Sequence, residues 1–257
     1  FRSAASLAVL LPWVLYRRAN LRTRRLTGQI MRGLFGLASM YCFFYALGHM
    51  PLGEAVLLNY SMPLFIPFVA YFWLREPMSR MLFAVIALGF VGVALILKPG
   101  LELFTPAALV GLASGVLAAV SMVGIRDLTS SEPPFRIVFY YSLTCTLGSA
   151  IPLLWAWHTP AAHMWIPILV IGVCASIGHM MMTRAYGLAP ASQVGPFCYA
   201  TVIFAGLIGW MFWDEIPDVM SIVGTVMVCA AGILTIRFSS SDAVPAAELP
   251  PPIKLIK

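Results

Sequence analysis

Residues 185–215 have the sequence AYGLAPASQVGPFCYATVIFAGLIGWMFWDE, and residues 46–76 have the sequence ALGHMPLGEAVLLNYSMPLFIPFVAYFWLRE. In both stretches a short turn around a proline leads into a long apolar helix that stops at an acidic residue. A shift of 139 positions aligns them with six identities in 31 positions, where average residue usage predicts roughly two. The identical pairs are Ala46 and Ala185, Gly48 and Gly187, Pro51 and Pro190, Tyr60 and Tyr199, Phe65 and Phe204, and Glu76 and Glu215. This repeat indicates that the chain arose by duplication.

The composition is that of a membrane protein. Of the 257 residues, 61% are hydrophobic and 10% are charged, whereas average soluble chains are about 45–50% apolar and about 25% charged. A soluble fold of this length needs a polar shell that these side chains cannot supply. The net charge of +6 does not indicate nucleic-acid binding, because the basic residues lie at helix ends and not along one face. The sequence therefore predicts the lipid bilayer as a partner and no nucleic acid.

Signatures of enzymes and of metal sites are missing from the sequence. It has no HExxH, no GxSxG, no glycine-rich phosphate loop and no pair of carboxylates inside an apolar segment. The five cysteines lie in apolar segments without a CxxC pair, and we interpret them as small buried hydrophobic side chains. We therefore predict a protein that is not an enzyme and that holds no metal or cofactor.

Nine apolar segments are long enough to cross a bilayer, whose core needs about 20 apolar residues of helix. The predicted spans cover residues 1–16, 29–48, 52–73, 79–97, 106–125, 137–157, 165–184, 190–213 and 219–236. The polar, proline-rich segment 239–257 predicts a disordered tail. The expected fold class is all-α, a polytopic membrane protein.

The duplication predicts two repeats, over residues 1–98 and 104–238. Phe1-Arg2 and Phe135-Arg136 each open a helix in the second-span position of their repeat. The second repeat has one more helix before that point, so we expect a counterpart of roughly 30 residues, one helix and a loop, upstream of Phe1. The intact protein would then have ten transmembrane helices in two five-helix repeats.

Basic residues predict the orientation in the membrane. The loop RRANLRTRR after the first span carries five arginines between Arg17 and Arg25, and loops of this kind face the cytoplasm. Alternation from that loop places the C-terminus on the cytoplasmic side and only Arg2 and Lys98 opposite. It places these residues on the cytoplasmic side: Arg75, Arg80, Arg126, Arg136, Arg184 and Arg237. Five helices per repeat also predict that the second repeat enters the membrane inverted relative to the first, an architecture common in transporters.

Polar side chains inside the predicted spans are the candidate site residues. Glu54 starts the third span at its outer end, and its repeat partner Gln193 starts the matching helix at the cytoplasmic end. Equivalent ends of inverted helices would place the two at opposite mouths of one pathway. Stabilisation of a helix N-terminus by an acidic residue is the alternative role for Glu54.

Asn59 and Tyr60 lie deeper in the same helix, before Pro63, and Tyr199 follows Pro196 in the second repeat. A proline leaves the carbonyl four residues before it without a donor. Such carbonyls persist in a membrane where they line a cavity or contact another helix. Proline kinks at matching depth are expected for gating helices, and a packed kink is the alternative.

His179 is the only histidine within a predicted span, with Thr183 one turn away and Gln193 at the start of the next helix. An intramembrane histidine often faces a polar interior and can relay a proton or bind an anion. A neutral imidazole bonded to a backbone carbonyl is the alternative. Tyr41 and Tyr45 share one helix face as secondary candidates, for which packing against neighbours is the stronger expectation.

The chain resembles the EamA-type ten-helix carriers of the drug/metabolite transporter superfamily, which lie in bacterial inner membranes. The resemblance extends from Phe1 to about Phe238 and rests on three features. These are the Phe-Arg pair at the second helix of each repeat, the layout of residues 46–76, and the run AYGLAPAS…PF(x)Y…DEIPD that follows Gly178-His179. It implies a secondary carrier that moves small metabolites through a cavity between inverted repeats. The implied pathway residues are Glu54, Asn59, Tyr60, His179, Gln193 and Tyr199.

The resemblance implies an exporter of a small polar or amino-acid-like metabolite that works by alternating access. A facilitative exchanger or importer of a nucleoside-type or sulfonium metabolite is the alternative with the same fold. A membrane-embedded enzyme or a structural subunit is the alternative from another class. Coupling to protons through Glu54 or His179 and assembly as a homodimer are left open by the sequence.

Overall fold

The computed structural model describes residues 2–16, 20–76, 80–97, 105–153, 159–213 and 218–239. Within these ranges the chain is almost entirely helical and has no β-strand. The acidic stop at Asp214 and Glu215, the basic residue Lys98 and the predicted disordered tail beyond residue 239 lie outside the described residues.

Eleven α-helices account for the nine predicted spans in the described part of the chain. Their bounds are α1 Arg2–Tyr16, α2 Leu26–Leu47, α3 Leu52–Asn59, α4 Met62–Leu74, α5 Arg80–Leu97, α6 Pro106–Thr129, α7 Pro134–Leu153, α8 Trp165–Leu188, α9 Ala191–Val194, α10 Ala200–Trp213 and α11 Val219–Ser239. Seven spans are single helices. The third span is divided into α3 and α4, and the eighth into α9, a 3-10 turn at Gly195–Tyr199, and α10.

The lengths and hydropathies of these helices confirm an all-α polytopic membrane protein. By length and composition, six helical segments of the described chain can cross a membrane: Leu26–Leu47, Leu52–Leu74, Arg80–Leu97, Pro106–Thr129, Trp165–Leu188 and Ala191–Phe212. Arg2–Pro12 and Val219–Thr235 are shorter apolar helices. α7 is more polar along its middle, where Tyr140, Tyr141, Ser142, Thr144 and Thr146 follow one another closely.

The two divided spans are interrupted at equivalent positions of the repeat. α3 ends at Asn59, and the turn at Tyr60 and Ser61 is closed by the Ser61 hydroxyl, which donates to the Leu58 carbonyl over 2.6 Å. In the second repeat the 3-10 turn ends at Tyr199, the counterpart of Tyr60. The proline kink expected from Pro63 takes the form of a break in the span two residues before the proline. Pro63 lies in the first turn of α4, where a missing N–H costs little because that turn has no intrahelical acceptor.

Helix packing also follows the repeat. A shift of 139 positions maps α1 onto α7 and α2 onto α8. In the structure α1 packs against α8, and α2 packs against α7. α5 packs along α11, and α6 packs against α2, α3, α4 and α8. The four helices α1, α2, α7 and α8 therefore form one group, with two helices from each half of the chain.

Candidate functional site

A small polar pocket lies where α1, α7 and α8 meet. Arg2, Ser3 and Ser6 of α1 line it, together with two residues of α7 and two of α8: Tyr141, Ser142, Ala175 and His179. The pocket has room for about one water molecule. It brings His179, predicted from the sequence, together with polar groups of the first repeat.

Three serines join the helices around this pocket at the level of the membrane interior. The hydroxyl of Ser6 in α1 lies 2.7 Å from that of Ser176 in α8 and 3.4 Å from that of Ser142 in α7. Ser176 also bonds the Gly172 carbonyl of its own helix at 2.8 Å. Since all three serines are buried, these hydrogen bonds satisfy groups that would otherwise be costly in a membrane.

The aromatic ring of Tyr141 separates His179 from a buried guanidinium. Tyr141 contacts the imidazole edge-to-face, with 4.8 Å between ring centroids. The Arg32 guanidinium of α2 lies over the Tyr141 ring, with its Cζ 3.5 Å from the centroid. This distance is within the range of a cation–π contact. The arrangement places an arginine of α2 directly behind the wall of the pocket.

Arg32 is a buried charge within the membrane span. It lies six residues after the start of α2, about 9 Å along the helix, and only 1% of it is exposed. Its Nε and Nη1 have no hydrogen-bond partner, and neither the amide nitrogen nor the oxygen of Gln29, one turn earlier and fully buried, has one. The aliphatic stem lies against Gly124 of α6, where a Cβ would be 3.5 Å from Arg32 Cβ.

Sequence reasoning missed Arg32 and Gln29. Both lie within the predicted span 29–48, in the run GQIMRG, and an intramembrane arginine is by default a candidate for function. The signal was available, because the repeat partners of these residues are the apolar Ile168 and Ile171. For predicting site residues, a polar pair whose counterparts in the other half of the chain are apolar is more informative than the average hydropathy of the span.

Arg2 is the second guanidinium at the pocket. Its Nη2 lies 3.2 Å from the sulfur of Met40 in α2, a weak acceptor for a charged donor. No acidic side chain of the described residues pairs with Arg2 or Arg32. The pocket region therefore carries two positive charges that no carboxylate of the described chain balances.

A second set of polar side chains forms hydrogen bonds between α2, α3 and α6. The Asn59 side chain donates to the Ser114 hydroxyl over 3.0 Å, and that hydroxyl donates to the Gly111 carbonyl over 2.6 Å. From α2, the Ser39 hydroxyl donates to the Ser114 carbonyl over 2.8 Å. Gly115 allows this approach, because a Cβ there would lie 2.6 Å from the Ser61 hydroxyl. Asn59 is thus held between helices by these hydrogen bonds, and it does not line the pocket.

Glu54 and Gln193 lie at the ends of their helices, as predicted. Glu54 is buried in the first turn of α3, which packs against α2, α5 and α6. Gln193 is half-buried in the four-residue helix α9, which contacts α4, α6, α8 and α11. The two side chains therefore have largely different neighbouring helices, with α6 in common. Neither of them lines the pocket around His179.

Tyr60 and Tyr199 come together in one apolar cluster with Leu57, Val93 and other aliphatic residues. The Tyr199 ring is fully buried against Gly89 of α5, and its hydroxyl has no hydrogen-bond partner. The contacts of Tyr199 are therefore those of a packed core residue between α5 and α11.

The secondary candidates Thr183, Tyr41 and Tyr45 occupy three different environments. Thr183 is fully buried in α8, and its hydroxyl has no partner. Tyr41 is 41% exposed and donates to the Gly148 carbonyl over 3.3 Å. Tyr45 is 49% exposed and stacks on His49, with ring centroids 4.1 Å apart. None of the three lines the described pocket.

An ion-pair network joins four helix ends on the side that the basic residues assign to the cytoplasm. Arg126, at the end of α6, donates from Nε to Glu76 over 3.2 Å and from Nη1 to the Tyr186 carbonyl over 3.1 Å. The other oxygen of Glu76 accepts the backbone N–H of Ala191 over 3.1 Å. Glu76 thereby holds the ends of α4, α6 and α8 to the start of α9. We call these contacts the Glu76 clasp.

A second network on the same side ties the α1–α2 loop to the α6–α7 turn. Arg25 pairs with Asp127 at 2.6 Å, and Glu132 accepts from Thr23 over 2.5 Å and pairs with Arg136. Burial opposes ionisation of Glu132, but the bonds from Thr23, Arg136 and the Arg24 backbone outweigh it. The pKa of this carboxyl is therefore lowered.

The sequence model of the EamA-like transporter family matches residues 1–98 and 105–237. The chain belongs to the EamA-like transporter family. This EamA-like protein is accordingly a membrane transporter and not an enzyme, with a small-molecule substrate and the lipid bilayer as its partners. In its described residues no group of three His, Cys, Asp or Glu side chains is arranged to hold a metal.

Curated relatives of the EamA-like chain carry different transported molecules in their names. It is 34% identical to the pseudopaline exporter CntI of Pseudomonas aeruginosa, over 92% of this chain and 84% of that protein. It is 27% identical to an S-adenosylmethionine uptake transporter of Rickettsia bellii, over 92% and 81% of the two chains. It is 25% identical to a riboflavin transporter of Vibrio cholerae, over 91% and 79%.

A protein of known crystal structure has the same fold. It superposes with a TM-score of 0.81 at 19% identity, covering 93% of this chain and 86% of the other. At this identity the likeness concerns the fold alone.

Proposed function

We propose that the protein is a secondary carrier of a bacterial inner membrane that exports a small polar or amino-acid-like metabolite by alternating access. The observation that carries the proposal is the polar pocket between α1, α7 and α8, which combines helices of both halves of the chain around His179. A pathway for a polar solute needs such groups inside the membrane, because an apolar interior excludes it. The 34% identity to a named exporter supports the outward direction.

The domain proposal is two inverted repeats, over residues 1–98 and 104–238, with the C-terminus in the cytoplasm. Two separate matches of one family model and the equivalent packing of α1 on α8 and of α2 on α7 support it. Inverted repeats exchange conformations to switch the side from which a central site is open.

The conformation proposed for this structure is closed on the cytoplasmic side. The Glu76 clasp and the Arg25–Asp127 pair lie on the side that the basic residues assign to the cytoplasm, and both connect helices of the proposed first repeat to helices of the second. Opening to the cytoplasm then requires these ion pairs to separate. Glu54, Asn59, Tyr60, His179, Gln193 and Tyr199 remain the predicted pathway residues, with His179 supported by its place in the pocket.

A facilitative exchanger or importer of a sulfonium metabolite is the second candidate, because one relative is named as an S-adenosylmethionine uptake transporter. Coupling to protons and assembly as a homodimer stay predictions.

The experiment is an untargeted comparison of metabolites in the medium and in the cells, with and without the full-length protein. An exporter depletes its substrate in the cells and enriches it in the medium. An importer shows the reverse pattern. Unchanged metabolite profiles on both sides would contradict the proposal.

A further inference from the structure

We infer that Arg32, with Gln29 beside it, is the binding site for a carboxylate group of the transported metabolite, and that the Tyr141 ring covers this site when it is empty. The inference rests on the proposed carrier function and adds the chemical class of its substrate. Four observations carry it: the burial of the two side chains, their unused hydrogen-bond capacity, the missing counter-charge and the contact with the pocket wall.

A guanidinium inside a membrane span needs compensation by an anion or by several acceptors. Among the described residues, Arg32 contacts the face of the Tyr141 ring, and its Nε and Nη1 have no hydrogen-bond acceptor. These two nitrogens lie on different edges of the guanidinium, and each offers an N–H to an oxygen ligand. A carboxylate is an anion that arginine binds with short, charge-assisted hydrogen bonds. Gln29, with an unused amide, adds a donor for the same ligand.

The described chain does not supply this anion. Glu76, Asp127 and Glu132 are each paired with another arginine. Glu54 lies just beyond the opposite end of α2, and Arg32 is fifteen residues before that end, about 22 Å along the helix. No carboxylate of the described residues is therefore the counter-ion of Arg32, and a carboxylate of the substrate is the anion that we infer for it.

Tyr141 connects the arginine to the pocket. One side of its ring contacts Arg32, and its edge contacts His179 in the pocket wall. A cation–π contact is weaker than a charge-assisted hydrogen bond, so a carboxylate can displace the ring from the guanidinium. Rotation of Tyr141 would join the Arg32 site to the pocket, where Arg2 adds a second positive charge.

The test uses the full-length protein in lipid nanodiscs and compares Arg32→Gln with the matched control Arg22→Gln. Arg22 is exposed in the α1–α2 loop, where its backbone N–H bonds Asn20, so the control removes the same charge outside the membrane. The probes are acetate, succinate and L-glutamate, each beside its neutral amide, and inorganic phosphate. The readout is the melting temperature, which rises for a ligand that binds the folded state.

We expect at least one carboxylate, and no amide, to raise the melting temperature of the wild type and of Arg22→Gln. Arg32→Gln should lose this response while melting at or above the wild type without ligand, because it removes an uncompensated buried charge. A strong loss of stability in Arg32→Gln would show that Arg32 has a structural role, and this result would overturn the inference. Response to phosphate alone, response to no anion, or an unchanged response in Arg32→Gln would overturn it too.

The metabolite comparison separates this inference from the carrier function. Export that continues within twofold in Arg32→Gln, or an exported metabolite without a carboxylate, overturns the inference and leaves the carrier standing. If the wild-type protein neither exports nor imports any metabolite, the carrier proposal is wrong. The melting-temperature responses still decide in that case whether Arg32 binds carboxylates.

Discussion

The Arg32 guanidinium lies 3.5 Å from the centre of the Tyr141 ring, and its Nε and Nη1 have no hydrogen-bond partner among the described residues. The same ring forms part of the wall of the polar pocket. The Tyr141 side chain therefore both shields the cation and separates it from the pocket.

Tyr141→Leu should lower the stability of the protein by about 1–2 kcal/mol, because Arg32 loses its aromatic face. Tyr141→Phe keeps the ring and should stay within about 0.5 kcal/mol of the wild type. Thermal unfolding of purified protein in one detergent compares the two variants. Equal stability of the leucine and phenylalanine variants would show that the ring does not compensate Arg32.

Glu76→Gln should weaken the Glu76 clasp, since the amide cannot form the ion pair with Arg126. We expect the cytoplasmic side to open more often, which would raise the rate of thiol labelling at Cys198 about five- to tenfold. Cys198 is packed against the buried cluster that includes Tyr186 and Ala191 beside the clasp. Labelling is measured in a variant whose other four cysteines are alanine, with a thiol reagent added to inside-out membranes.

The matched control for Glu76→Gln is Asp218→Asn, which removes a carboxylate that accepts from Ser221 at the start of α11. Its labelling rate at Cys198 should equal that of the wild type. If Glu76→Gln leaves the rate unchanged as well, the clasp does not hold the cytoplasmic side closed.

Glu132 should make the stability depend on pH in the acid range. Because its pKa is lowered in the folded state, its stabilisation is complete above the ordinary value of 4.5 and is lost as the pH falls through the folded-state pKa. Glu132→Gln should cost about 1–3 kcal/mol at pH 7, the worth of hydrogen bonds to a charged group. Melting temperatures of both proteins between pH 7 and pH 3 should converge towards low pH. Parallel curves would contradict this role.

Gly224→Ala should destabilise the packing of α5 on α11. A Cβ at Gly224 would lie 2.5 Å from the Gly92 carbonyl oxygen, and a backbone atom cannot move aside as a side chain can. We expect a loss of about 1–3 kcal/mol. Gly232→Ala in the same helix is the control, since nothing lies within 4 Å of its Cβ, and it should gain up to about 1 kcal/mol from helix propensity. Equal melting temperatures of the two variants would contradict the close contact.

The sequence predicted the architecture well because membrane helices depend on local properties. Length and hydropathy are contained in each segment, so the nine spans correspond to the helices of the described chain within a few residues. The interruption at Tyr60 and Ser61 was less predictable. Pro63 is compatible with both a kink and a new first turn, and the choice depends on the Ser61 hydrogen bond to Leu58.

The site was predictable only in part, because its members come together through tertiary contacts. His179 was found as an isolated polar residue in an apolar helix, but its contact with Tyr141 joins residues 38 positions apart in the sequence. Tyr199 shares its repeat position with Tyr60, yet the same symmetry is compatible with a pathway and with a packed core. Arg32 could have been predicted as a site residue from the sequence alone, because it is a charged residue within a predicted span.

Metabolite accumulation in oriented membrane vesicles tests the carrier account most directly. Inside-out and right-side-out vesicles, prepared with and without the protein, are given the metabolite that the medium comparison identifies. An exporter predicts protein-dependent accumulation in energised inside-out vesicles, where the cytoplasmic face is outside. Equal metabolite content with and without the protein, in vesicles of both orientations, would contradict the account.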